Sequence, residues 1–286
     1  MKTRVGEFIN NKAKQVFAPT GKAVTIVNDA DMARIAKQCE LSIREVSIAA
    51  MEQGVRPCRY LRNGEVINLE DQLQLAKSKV GIIGAGGLGG QVILLLARLG
   101  IGEMIVIDSD VFDETNLNRQ ALSSIEVFDL PKAKTAKQVV KGINPAVEVC
   151  PHIAMVSESN AAALLQDSDI IVDALDNIPD RLTLEKAALD LNVPMIHGAI
   201  AGFDGQFTVV MPGQTQLRKI MGERVPAQAD YISSEKVLGV PAVTASIIAG
   251  FQVMEVLKIL LNRGAPSAGT LSHLSLESLQ FNQFKF

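Results

Sequence analysis

Cysteine is scarce in this chain of 286 residues: only Cys39, Cys58 and Cys150 occur. The number is odd, the three lie far apart and no Cys-x-x-Cys pair is present, which argues against both a disulfide framework and a thiolate zinc site. Each is read as a small buried hydrophobe. A secretory signal is lacking too, since the opening MKTRVGEFINNKAKQVFAP carries charge but no apolar core of about 7 to 15 residues. The expected compartment is the cytoplasm. No uninterrupted apolar run is long enough for a membrane: residues 243–261 are broken by Gln252, Glu255 and Lys258 on one side, the pattern of a helix buried in a fold. No basic tract appears, and the formal net charge is −3, so neither nucleic acid nor an anionic membrane is expected as the main partner. Internal repeats and low-complexity tracts are absent.

What is present suits one well-cored domain with an appendage: 48% of residues are hydrophobic and 21% charged. Residues 1–55 read as an N-terminal helical extension without a Val/Ile-rich buried strand. One helix is predicted over 29–40, and Ser42-Ile43-Arg44-Glu45 is a capping box that opens a second, stopped by Gly54. A helix-turn-helix reading is disfavoured, because residues 28–54 carry Arg34, Lys37 and Arg44 against Asp29, Asp31, Glu40, Glu45 and Glu52, a poor surface for phosphates. Residues 56–286 form the second unit. In it, SKVGIIGAGG, GQVILLLARLG and GEMIVIDSD make a βαβ unit. Helices at 132–143 and 179–191 and apolar strands at 147–150, 169–175 and PMIHGAI continue the alternation. Near-continuous apolar strands of this kind belong to a parallel sheet covered on both faces. GQFTVVMPG and LSHLSLESLQFNQFKF change the style to antiparallel strands, and the glycines of GAIAGFDGQF either build a hairpin turn on Asp204-Gly205 or let backbone approach backbone closely. The predicted fold is therefore a Rossmann-like, doubly wound α/β domain, mainly parallel, with C-terminal antiparallel strands and an N-terminal helical extension.

Gly84, Gly86 and Gly89, with Gly87 between them, satisfy G-x-G-x-x-G after a strand and at the start of a helix, where backbone N–H groups can face a phosphate. Asp108 ends the next strand, where a carboxylate can take ribose hydroxyls. The glycines alone leave NAD, FAD and ATP open. Asp110, Asn116, Arg119 and Gln120 then gather beyond Asp108, Lys132 opens a helix, and Asp176, Asn177 and Arg181 follow the apolar strand DIIVDAL. A dinucleotide site needs no such cluster. Basic groups near a triphosphate, with an acid to hold Mg²⁺, suit phosphoryl or nucleotidyl transfer, because charge on the phosphate oxygens must be offset as the bond breaks. His197, on the strand PMIHGAI, is read as a satisfied core residue and not as a base.

GAGGLGG, IDSD, NLNRQ, PKA and DALDN, in this order, resemble the ThiF/MoeB/HesA family of ubiquitin-activating-enzyme-like adenylyltransferases, which serve sulfur-carrier proteins of molybdopterin and thiamine biosynthesis. The resemblance covers residues 59–286, including RYLRN and GVPAVTASIIAGFQVMEVLKIL. It implies ATP-dependent adenylation of the C-terminal carboxylate, usually after Gly-Gly, of a small ubiquitin-like sulfur carrier, giving acyl-adenylate and pyrophosphate. By position, Asp108 would hold the ribose, Asn116, Arg119 and Gln120 the phosphates, and Lys132 the α-phosphate, while Asp176 would take Mg²⁺ or orient the acyl group. Gly84, Gly86, Gly87, Gly89, Asp110 and Asn177 complete the nucleotide site. Arg62 matches an arginine that reaches the neighbouring subunit's site, which implies a homodimer. The chain departs from many relatives in lacking their two Cys-x-x-Cys pairs, with TQLRKI where one would fall, and residues 211–250 hold no loop cysteine. No structural zinc is expected, the crossover at 213–222 is expected to be held by packing, and sulfur delivery is assigned to a separate donor. The alternatives are a different carboxylate acceptor, on a modified tRNA nucleoside or a peptide, and a NAD- or FAD-dependent oxidoreductase.

Overall fold

The structure, a computed structural model, describes residues 2–221 and 234–286. The N-terminal region comprises α1 (Lys2–Lys12), β1 (Lys14–Phe17), β2 (Ala23–Val27), α2 (Asp29–Cys39), α3 (Ile43–Glu52) and β3 (Arg56–Pro57). Its helices pack around Val5, Ile9, Val27, Met32, Ile35 and Val46, all buried. The capping box holds α3: Glu45 N donates to Ser42 Oγ at 3.1 Å and Ser42 N to Glu45 Oε2 at 2.7 Å. The extension is not only helical, however. β1 pairs antiparallel with β2, and β3 adds parallel to β2. This small sheet escaped the sequence reading because β2 is five residues long and buries only Val27 fully, so it has no continuous apolar run.

The larger region continues through a 3-10 turn (Cys58–Asn63), α4 (Leu69–Lys77), β4 (Lys79–Ile83), α5 (Gly87–Leu99), β5 (Glu103–Ile107), α6 (Lys132–Ile143) and β6 (Glu148–His152). Next come α7 (Ala161–Leu164), β7 (Ile170–Asp173), α8 (Ile178–Leu191), β8 (Met195–Ala201) and β9 (Asp204–Val210). The last elements are α9 (Leu217–Met221), α10 (Ser234–Leu238), α11 (Ala242–Leu260), β10 (Thr270–Ser275) and β11 (Gln280–Lys285). Eight strands form one sheet in the order β11-β10-β9-β8-β7-β4-β5-β6. β8, β7, β4, β5 and β6 run parallel, while β9, β10 and β11 join antiparallel. The chain leaves β4 toward β5 and β6, then crosses back to β7 on its other side. That reversal opens a crevice at the carboxyl ends of β4, β5 and β7, where open α/β sheets seat ligands.

Alternation along the strands covers both faces. Val80 and Ile82 of β4 join the cluster that includes Val92, Ile93 and Leu96 of α5 and Ile248 of α11. Ile83 joins Ile105, Ile171, Leu165 and Leu184 on the opposite face. Helix α11 is long and apolar enough by composition to cross a bilayer, yet half of it is buried inside the fold. It is a helix packed into the fold, as its broken apolar pattern predicted, and its polar residues are anchored there. Gln252 is buried and its Nε2 donates to Asp173 O at 2.8 Å, and Glu255, also buried, accepts from Ser267 N and Oγ, each at 2.9 Å. The β8–β9 turn falls on Gly202-Phe203 rather than Asp204-Gly205: Ala201 pairs with Asp204, and Gly202 takes the positive φ of 56°. The cysteines differ from expectation as well. Cys39 and Cys58 are half-buried, and Cys150 is exposed because it lies on the face of β6 opposite the buried Val149.

Candidate active site

The glycine turn closes the crevice by close backbone approach. At Gly84, φ is 93° and a Cβ would lie 2.6 Å from Ala174 O on the neighbouring strand end. At Gly89 a Cβ would lie 1.8 Å from Gly84 O. Neither position admits a side chain without lifting α5 from the sheet. Gly89, read as a nucleotide-binding glycine, thus packs the helix against the turn and does not line the cavity, whereas Gly84, Gly86 and Gly87 do. Gly86 caps α5 with no side-chain hydrogen bond, leaving the first amide groups of the helix available to an anion.

Asp108, just past β5, holds this turn from the other side: Oδ2 accepts from Ala85 N at 2.7 Å and Oδ1 from Asp110 N at 2.8 Å. Burial pushes the Asp108 carboxyl above its usual pKa, against the lowering effect of those two amides and of Lys132. Each oxygen keeps a further lone pair for a ligand hydroxyl.

A cavity of about 840 Å³ opens over the turn. Asp108, Asp110, Asn116, Arg119, Gln120, Lys132, Asp176 and Asn177 all line it, so the segments after β5 and β7 bring together residues up to 69 positions apart (177 − 108). Lys132, at the start of α6, is 6% exposed, with Nζ 3.0 Å from Asp110 Oδ2 and 5.9 Å from the Phe112 ring centroid. Arg119 is steered by its own turn, Nη1 donating to Thr115 O and Asn118 Oδ1, each at 2.9 Å. Asn116 Oδ1 accepts from Asp113 N at 3.2 Å, which pins the 3-10 turn that carries both. Asn177 Oδ1 caps α8 by accepting from Asp180 N at 3.0 Å, so its side chain supports the helix as well as facing the cavity. Arg62 lies apart: it is exposed, does not line this cavity, and has no hydrogen bond or ion pair among the described residues.

The residues suit a nucleoside triphosphate. An uncapped helix start and two cations face a cavity that also presents an acid for the sugar. For a divalent cation the fit is narrower: no group of three or more His, Cys, Asp or Glu side chains that could hold a metal occurs among the described residues. Asp176 would supply one ligand, with phosphate oxygens and water supplying the rest, the usual arrangement for Mg²⁺.

A second cavity, of about 240 Å³, adjoins the first and shares Asp176, Ile200 and Glu235 with it. Arg181, Asp204, Met221 and His273 add to its wall. Glu235 had no signal in the sequence reading, being a lone acid in no motif. Burial raises its pKa to about 7; Arg181 and Arg119 oppose the shift and Asp176 and Asp173 add to it. Beneath the shared wall, His197 Nδ1 lies 2.6 Å from Asp173 Oδ2, both fully buried. Burial pushes the His197 pKa down, with Asp173 pulling the other way. His197 is thus a core residue as expected, although Nε2 has no partner among the described residues.

The fold and this geometry agree with known proteins. The structure is similar to that of MccB from E. coli, with a TM-score of 0.70 over 79% of this chain and 69% of that one, at 21% identity. In sequence, the chain is 38% identical over 216 residues to the SAMP-activating enzyme E1 of Haloferax volcanii, covering 74% of this chain and 79% of that protein. It is 34% identical over 208 residues to the sulfur carrier protein adenylyltransferase of Thermus thermophilus, covering 71% of this chain and 76% of that one. The ThiF family model matches residues 60–286, which hold the whole glycine turn, both cations and both cavities. With that match, and with relatives named for adenylyl transfer, the chain is an adenylyltransferase that belongs to the ThiF family.

Proposed function

We propose that this adenylyltransferase activates the C-terminal carboxylate of a small ubiquitin-like sulfur carrier, of the Gly-Gly type, with ATP. The observation that carries this reading is the pair of joined cavities: one fits a triphosphate, and the other adjoins it at Asp176, Ile200 and Glu235. A flexible peptide end can enter a cavity of about 240 Å³, and a folded protein cannot.

In the reaction, an acceptor carboxylate oxygen attacks the α-phosphorus, the bond from that phosphorus to the bridging oxygen of the β-phosphate breaks, and acyl-adenylate and pyrophosphate result. No proton transfer is needed, because the carboxylate is ionised at neutral pH. Asp108 orients the ribose, and the open amides of α5 hold phosphate oxygens. Asn116, Arg119 and Gln120 hold the departing phosphates, and Lys132, already buried, offsets charge at the α-phosphate. Mg²⁺, held by Asp176 and the phosphates, would supply further charge neutralisation. Arg62 has no role within its own chain's cavity, which supports a homodimer in which it completes the partner's site.

ATP–pyrophosphate exchange tests the reading. Exchange that requires a protein or peptide ending in Gly-Gly is the expected result. Exchange driven by a different carboxylate would replace the acceptor, and no exchange with any carboxylate, despite ATP binding, would overturn the proposal.

A further inference from the structure

The segment that leaves β9 has one set of polar anchors. Among the described residues, the only hydrogen bonds that join 213–221 to another element come from Glu185 of α8, whose Oε1 accepts from Gln216 N at 2.6 Å and from Leu217 N at 2.8 Å. Glu185 is 5% exposed and Leu217 is fully buried against the α8 face of the core. Charge-assisted bonds from a buried carboxylate to two amides are among the stronger hydrogen bonds a fold can make. The helix they start, α9, ends at Met221 in the wall of the smaller cavity.

The position of Glu185 on α8 matters. Asn177, Arg181 and Glu185 are four residues apart, so they lie along one stripe of the helix. Asn177 caps the helix beside Asp176, Arg181 lines the smaller cavity, and Glu185 holds the segment that walls it. Arg181 Nη2 also donates to Leu175 O, and its Nε lies 3.8 Å from Asp173 Oδ2, which ties the loop carrying Asp176 to the same helix. One rigid element therefore registers the nucleotide-side acid and the cavity wall together.

We infer that Glu185 is a positioning residue for the acceptor: it holds residues 216–221 so that the smaller cavity keeps its shape beside Asp176. The inference rests on the acceptor reading given under Proposed function. It also accounts for how the crossover is fixed here without the cysteine pairs of many relatives: a carboxylate and a buried leucine take the place of bare packing.

Three variants test it. Glu185→Ala removes both bonds, Glu185→Gln keeps the reach and an acceptor oxygen, and Glu185→Asp keeps the charge but is one methylene too short. Hydrogen exchange over 214–221, ATP affinity, and the KM and kcat of ATP–pyrophosphate exchange with a purified Gly-Gly-ending ubiquitin-fold protein are measured for each. The expected result is faster amide exchange at 216–217 and an acceptor KM raised about tenfold or more in the Ala variant, with ATP affinity unchanged. Gln, which loses the charge assistance but keeps the reach and the acceptor oxygen, falls between wild type and Ala, and Asp, one methylene short, falls between Gln and Ala. If Ala does not fold, Gln outperforming Asp carries the same conclusion, and Asp matching or outperforming Gln overturns it. Unchanged amide exchange in the Ala variant, or an unchanged acceptor KM despite faster exchange, also overturns it. Should wild type show no exchange activity with any Gly-Gly tail, the acceptor reading fails, while the amide data still decide whether Glu185 holds the segment.

Discussion

The two joined cavities are built in different ways. The larger, of about 840 Å³, takes most of its charged residues from the segments that follow β5 and β7 and from the helix starts they lead into, all at the carboxyl edge of the parallel strands. The smaller, of about 240 Å³, draws Arg181 from α8, Asp204 from β9, Met221 and Glu235 from either side of the crossover and His273 from the antiparallel β10. One is set by local strand-to-loop geometry, the other by how distant segments pack. A crevice at the carboxyl edge of parallel strands is shared by construction with any fold of this topology, whereas the smaller cavity can vary with every segment that contributes a wall.

That contrast can be broken or sharpened experimentally. The largest effect is expected from Arg62→Ala, a loss on the order of 10³-fold in exchange rate if the arginine is supplied in trans. Co-expression of Arg62→Ala with Lys132→Ala would then restore about a quarter of wild-type activity, since half the dimers are mixed and each has one intact site; no restoration would place Arg62 in its own chain's reaction or outside it. Lys132→Ala and Arg119→Ala each remove a cation from the larger cavity and should lower the rate roughly 10²- to 10³-fold with unchanged circular dichroism. Full activity in either would dismantle the phosphate assignment.

Gly89→Ala should act differently, through the fold. Its Cβ would meet Gly84 O at 1.8 Å, and the overpacking should cost about 1–3 kcal/mol or more in calorimetry, along with ATP binding. Normal ATP affinity in this variant would show that the turn is not what shapes the phosphate seat.

The smallest effect belongs to the smaller cavity. With its pKa at about 7, Glu235 is mostly neutral at pH 6 and mostly ionised at pH 8. Its folded pKa is raised, so the stability it contributes is present at low pH and is lost as pH climbs through 7. An ionised Glu235 beside an incoming carboxylate should raise the acceptor KM about fivefold, the equivalent of roughly 1 kcal/mol of repulsion. Glu235→Gln should flatten that rise; a wild-type acceptor KM independent of pH between 6 and 8 would remove Glu235 from the acceptor path.

How much could be read beforehand follows the same division. The βαβ start, α6 at Lys132–Ile143 and the switch to antiparallel pairing were legible because apolar periodicity and glycine spacing are local signals. β1 and β2 were not, since a short half-buried hairpin leaves no continuous apolar run. That α11 packs into the fold was legible too, but the burial of its Gln252 and Glu255 rests on partners, Asp173 and Ser267, that no periodicity encodes. The exposed Cys150 shows the limit of composition, because its exposure follows from lying on the face of β6 opposite Val149.

The sequence by itself placed Gly84, Asp108, Lys132 and Asp176 at one crevice, because the turn after β4, the segment from β5 to the start of α6 and the turn after β7 all open at the carboxyl edge of a parallel sheet. Tertiary structure alone decided that Gly89 serves packing, that Arg62 stands away from its own chain's cavity, and that Glu185 anchors the crossover. Those outcomes depend on which distant surfaces come within a few ångströms of each other, and the closing distances between them are written in no local pattern.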